Sequence, residues 1–286
     1  MDGNRNWSFL ALGICVEDVR HNVLKTQQYE HPSQYCVLDT DDDKWIGIST
    51  PEERQEICRL TPAIQYPPIL ADMTKFIIDI PETEDLDANY NYLENTPLDF
   101  KTEKHLLWLK HTIQNAIYLL EQKYLPITKN QQEEDICTHV WKFFMDAFSS
   151  SKLAAKQQKK VSSALRAAIS KKRKIAIMND PIQRQQHALI PDTTISYGCS
   201  QAYAIIEAVK AHNNTKQLVE GFKKCPELMM HIFNQVFDSH PSEQRNIKIH
   251  GCPLSRITCT PLMLLSSPFG YVKLFSHGKQ LMHPEA

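Results

Sequence analysis

Glycine is scarce in this chain, with eight residues in 286. None belongs to a Gly-rich run ending in Lys-Ser or Lys-Thr, which excludes a nucleotide-cradling phosphate loop. Long apolar runs are also missing. The N-terminal patch Phe9–Val16 is short, interrupted by Gly13 and preceded by Asp2 instead of a basic cluster. It makes a poor secretory signal and cannot span a bilayer, so no membrane partner is expected. Cys-x-x-Cys pairs are absent: the eight cysteines are scattered at 15, 36, 58, 137, 199, 225, 252 and 259. In a chain this long they read as reduced, mostly buried thiols, and the expected location is the nucleus or cytoplasm. His250-Gly251-Cys252 and the pair His231/His240 lack zinc-ligand spacing. Acidic residues are missing altogether between Ala147 and Met178.

What is present fits an ordinary globular protein. A hydrophobic share of 42% with 23% charged residues is too apolar for general disorder, and the length allows one large domain or two small ones. Net charge is -1, but it is unevenly distributed. Asp41-Asp42-Asp43 and the Glu82–Asp87 cluster make the segment from Asp39 to Glu103 acidic. The acid-free interval carries Lys152, Lys156, Lys159, Lys160, Arg166, Lys171, Lys172, Arg173 and Lys174. A one-sign block of this kind points to a polyanionic partner or an address tag.

Residues 1–100 are punctuated by Pro32, Pro51, Pro62, Pro67, Pro68, Pro81 and Pro97 and read as an irregular acidic arm, with short strands at Tyr35–Leu38 and Lys75–Ile80. From 101 to 280 the pattern is that of an α/β domain. Leu106, Leu109, Ile113, Ile117 and Leu120 recur at helical spacing and predict a helix over 102–125. A second helix is expected over 131–149. A third, over 155–175, has Val161, Ala164, Leu165, Ala168 and Ile169 on one face. The period then changes to two: Thr193–Tyr197 and Tyr203–Ala211 read as neighbouring strands joined by a short turn at Gly198. Thr215–Lys224 and a segment opened by Pro226 read as helices, the latter with Met229, Ile232, Phe233 and Val236 inward. Strands are expected at Ile247–His250, Ile257–Leu265 and Gly270–Phe275. The expected fold class is α/β, a small mixed sheet flanked by helices.

Two carboxylates in the 189–210 stretch bear on chemistry. Asp192 follows Pro191 at a strand start, and Glu207 sits inside the apolar run Ala204–Val209. The order Pro191-Asp192, Glu207, Lys210 resembles the PD-(D/E)XK nuclease superfamily. In that superfamily an aspartate, a second acid and a lysine meet at the edge of a small sheet and hold a metal ion. The resemblance implies a restriction-endonuclease-like fold, with Asp192 and Glu207 ligating Mg²⁺, assisted by Glu133 or Glu134, and Lys210 polarising the attacking water. The triplet Glu207-Ala208-Val209 departs from the pattern, because Val209 occupies the lysine's place. Lys210 comes one position later and points to the opposite face unless Ala208 or Val209 is bulged.

A second alignment resembles a group of uncharacterised fungal proteins that look like relatives of the same superfamily. It runs through Glu133-Glu134-Asp135 with Trp141, then Val161–Arg166, Asp192, Gly198-Cys199-Ser200-Gln201 and Thr215-Lys216-Gln217-Leu218. In this frame Gln201 replaces the acidic ligand, which implies a weakened or inactive site. Nucleic acid is the partner the resemblance implies, with Lys159, Lys160, Arg166, Lys171, Lys172, Arg173 and Lys174 gripping backbone phosphate.

Each element also has a plain structural reading. Asp192 is also explained as turn chemistry before a strand. Glu133 and Glu134 suit a helix start. Lys171–Lys174 reads equally as a nuclear localisation signal or a solvated helix face. A buried Glu207 must pair with a cation or bind metal, unless an edge strand exposes it. The alternative function is a non-enzymatic protein-interaction module, in which acidic arm and basic block serve partner proteins or each other.

Overall fold

The computed structural model describes residues 18, 37–39, 50–60, 64–125, 135–149, 151–157, 189–197, 201–209, 224–255, 258–266, 273–277 and 281–282. Its centre is a mixed nine-stranded sheet. The strands are β1 Val37–Asp39, β2 Leu153–Gln157, β3 Thr193–Tyr197, β4 Gln201–Val209, β5 Lys248–Ser255, β6 Thr258–Cys259, β7 Leu262–Ser266, β8 Lys273–His277 and β9 Leu281–Met282. The spatial order is β1-β8-β7-β5-β4-β3-β2, with β6 beside β5 and β9 beside β6. β2, β3 and β4 are antiparallel neighbours, whereas β4 and β5 run parallel. A parallel pair needs a crossover, and helix α6 lies on it.

The helices among the described residues are α1 Pro51–Leu60, α2 Ala71–Ile78, α3 Leu86–Asn95, α4 Lys104–Glu121, α5 Lys142–Ala147 and α6 Cys225–Ser239. A π-helical turn, Ile136–Val140, precedes α5, and a 3₁₀ segment, Pro241–Asn246, follows α6. Helix α6 starts at Cys225, with Pro226 in its first turn, one residue from the start the sequence predicts, and Met229, Ile232, Phe233 and Val236 are buried. They pack on Ile205, Ile249, Leu262 and Leu264 from one face of the sheet. Residues of opposite parity, Ile206 and Leu254, join Ile195 on the other face under Leu119, Ile136, Val140 and Trp141. Strand alternation thus divides the core into two layers, and each fully buried Leu, Ile or Phe adds roughly 1.5–3 kcal/mol.

A third cluster, of Phe76, Leu93, Leu106, Leu109 and Ile117, holds α2, α3 and α4 together. The indole of Trp108 on α4 donates to the Phe143 carbonyl at 2.9 Å and ties that helical layer to α5. Among the described residues no helix is long and apolar enough to cross a membrane.

Four expectations need correction. Lys75–Ile78 lies in α2 and is no strand. Described parts of the stretch read as irregular contain α1 to α3; α1 and α3 have side-chain caps at their starts, whereas α2 has none. Thr50 and Glu53 form a capping box, and the Asp85 side chain accepts from Ala88 N at 3.1 Å. Such caps leave no apolar period. The first residues of the helix expected over 155–175 lie in β2, where Ala155 pairs with Ile195 and Gln157 with Thr193, so strand pairing overrides local helix propensity there; residues 158–175 lie outside the described residues. Cys252 and Cys259 form a disulfide across the β5–β6 pair, with Cα atoms 6.2 Å apart, where reduced thiols were expected. The hairpin, not the spacing in sequence, brings them together.

Candidate functional site

Thr193 pairs with Ile206 across the β3–β4 ladder, so Asp192 lies opposite Glu207. The Ala208 N–H donates to Asp192 Oδ2 at 2.8 Å and fixes that carboxylate against the neighbouring strand. Glu207 shares its parity with Ile205 and therefore faces α6. It is 1% exposed.

At the start of α6, Lys224 brings its Nζ to 2.5 Å from Glu207 Oε2. The two form an ion pair at the buried end of β4. Burial pushes the Glu207 carboxyl up to about 8, the Asp192 charge adds to that, and Lys224 opposes both. Desolvation outweighs the Lys224 charge and disfavours the ionised form of Glu207. The adjoining Cys225 thiol is fully buried and is raised by burial and then by Glu207.

α6 presses closely on the sheet here because β5 has Gly251 opposite Ile205. A Cβ at that position would stand 2.5 Å from Met229 Sδ and 2.8 Å from Cys225 Sγ. Glycine is required by close approach, and the approach brings the first residues of α6 over the end of β4.

Of the residues singled out from sequence, Asp192 and Glu207 are brought together. Gln201 is not with them. Its backbone pairs with Tyr197 at the far end of β4, six residues from Glu207, which amounts to about 20 Å along a strand. The ladder irregularity falls between Ile195 and Ser196, while β4 pairs with β5 in unbroken register from Ala204 to Val209. The bulge that would turn Lys210 round is therefore absent from that pairing. Lys210 itself lies outside the described residues, as do Glu133, Glu134, Lys159, Lys160, Arg166, Lys171, Lys172, Arg173 and Lys174.

The cation that does meet Glu207 is Lys224, which sequence reasoning missed. A signal for it existed. Pro226 marks a helix start, and a crossover helix begins over the C-terminal end of the strand it leaves, where Glu207 sits.

No group of three His, Cys, Asp or Glu that could hold a metal ion occurs among the described residues. Asp192 and Glu207 by themselves do not fit Mg²⁺. One oxygen of Asp192 is engaged by a backbone N–H, and Glu207 is buried against an ammonium, with its charged form disfavoured by burial. Hard divalent cations take several ionised or carbonyl oxygens. Comparison with protein-family models, with curated proteins and with solved structures gave no match.

Proposed function

We propose that this chain is a PD-(D/E)XK-like, restriction-endonuclease-like protein that binds nucleic acid and whose capacity for metal-dependent phosphodiester hydrolysis is weakened or lost. The observation that carries the reading is the convergence of Asp192 and Glu207 from adjacent strands, beside Lys224, at the start of a helix covering a small mixed sheet. Two acids and a lysine are the constellation that the sequence resemblance calls for. The loss of activity follows from their state. Burial disfavours the charged form of Glu207 that a cation would need, and Lys224 at 2.5 Å already compensates that charge. Binding would rest on the acid-free interval, through Lys159, Lys160, Arg166 and Lys171–Lys174, with release of counterions from phosphate.

The test is retardation of a labelled duplex over a salt series, with Mg²⁺ or Mn²⁺ added in parallel. The expected result is salt-dependent binding without cleavage. Changing Lys171, Lys172, Arg173 and Lys174 to Gln should lower the log–log salt slope by about one for each phosphate no longer neutralised. No retardation at low salt would overturn the reading. Cleavage that disappears in Asp192→Ala would instead restore full catalysis.

The interaction-module reading has one observation in its favour. Ile69, Ile78, Phe100 and Tyr118 of the helical layer are all more than half exposed, at 68%, 73%, 76% and 58%.

A further inference from the structure

Near the N-terminus of α3 and the C-terminus of α4 the two helices leave a groove of about 300 Å³. Leu86 and Ile117 form its apolar floor, and Tyr90 and Tyr118 stand at its rim, 40% and 58% exposed. The lining contains two charged side chains, Asp87 and Glu121, both negative and both exposed. The amide donors of the lining are already engaged: Gln114 Nε2 donates to Glu94 Oε2 at 2.8 Å, and Asn115 Nδ2 donates to the His139 carbonyl at 3.1 Å. The charged recognition groups of the lining are the two carboxylates, beside the two tyrosines and the apolar floor.

Glu121 closes α4, whose last turn has no basic residue to offset the negative end of the helix dipole. Glu82, Glu84 and Asp85, exposed just ahead of α3, extend the same sign of charge.

We infer that this groove binds an arginine- or lysine-bearing segment of a partner protein. A long basic side chain matches it in each respect. Its aliphatic stem lies on Leu86 and Ile117, and its cationic head reaches Asp87 or Glu121. On the way it passes the faces of Tyr90 and Tyr118, where a cation is attracted to the ring. A neutral apolar segment would leave both carboxylates without a partner, and an acidic one would be repelled. This site is separate from the Asp192–Glu207 pocket and does not depend on how that pocket is read.

The test uses the full chain and a short fluorescein-labelled peptide alternating arginine with leucine, followed by anisotropy. A peptide with glutamate for arginine serves as the control. Binding of the basic peptide should weaken about fivefold in Tyr118→Ala and at least as much in Glu121→Lys. Asp79→Lys, the same charge reversal at the exposed end of α2, should leave it unchanged. Both groove positions are exposed, so the variants keep their fold, which circular dichroism checks. Three results would each overturn the inference. One is absence of binding. Another is equal weakening by Asp79→Lys, which would mean diffuse charge alone. The third is binding that emerges only after Lys171–Lys174 are neutralised, which would make the chain's own basic run the occupant.

Discussion

The pocket under α6 and the groove between α3 and α4 both hold carboxylates against apolar surface, but they treat them differently. Glu207 is 1% exposed, has Lys224 at 2.5 Å, and is pushed towards its neutral form. Asp87 and Glu121 face solvent, where water stabilises their charge and leaves it available to a partner. The comparison shows that a carboxylate's surroundings decide whether it can act as a charge at all. The pocket stores its polarity inside the fold, whereas the groove displays it.

The sign of the pocket's effect on stability follows from this. A carboxyl whose folded value is raised from 4.5 to about 8 favours the folded state fully below 4.5 and loses that contribution as pH rises through 8.

Substitution sharpens the contrast between the two regions. Phe233, 1% exposed at the centre of the α6 layer, should cost about 3–5 kcal/mol as Phe233→Ala, read from urea midpoints. Tyr118→Ala, at the rim of the groove, should stay within about 0.5 kcal/mol. Comparable losses at the two positions would break the comparison. A smaller but more local effect is expected at Gly251. Gly251→Ala forces a methyl group against Met229 and Cys225 and should cost about 1–3 kcal/mol. A neutral outcome would mean that α6 does not approach β5 as closely as described.

Much of the layer under α6 was legible in the sequence, because periodicity reports burial directly. The run Met229, Ile232, Phe233, Val236 marks α6, Pro226 marks its start, and alternation marks β3 and β4. Asp192 and Glu207 stood out because a carboxylate beside or inside an apolar strand demands an explanation. Their meeting is implied by the family resemblance alone; the residues by themselves do not give it, since it depends on the β3–β4 register, which a bulge near Ser196 adjusts.

Lys224 was hidden for a related reason. It is distant in number from Glu207 and reaches it only through the crossover. The sequence reading starts a helix at 155 from the Val161–Ile169 pattern, whereas Ala155–Gln157 takes its structure from pairing with β3. The helices α1 to α3 are short, and in α1 and α3 the caps carry more information than the apolar residues do.

The account rests on Asp192 and Glu207 sharing one pocket, and the titration of the Glu207 side-chain carboxyl carbon by NMR tests this most directly. The expected midpoint is about 8 in the wild-type protein, moving lower in Asp192→Asn as the neighbouring negative charge is removed. A midpoint near 4.5 that ignores the substitution at Asp192 would contradict it.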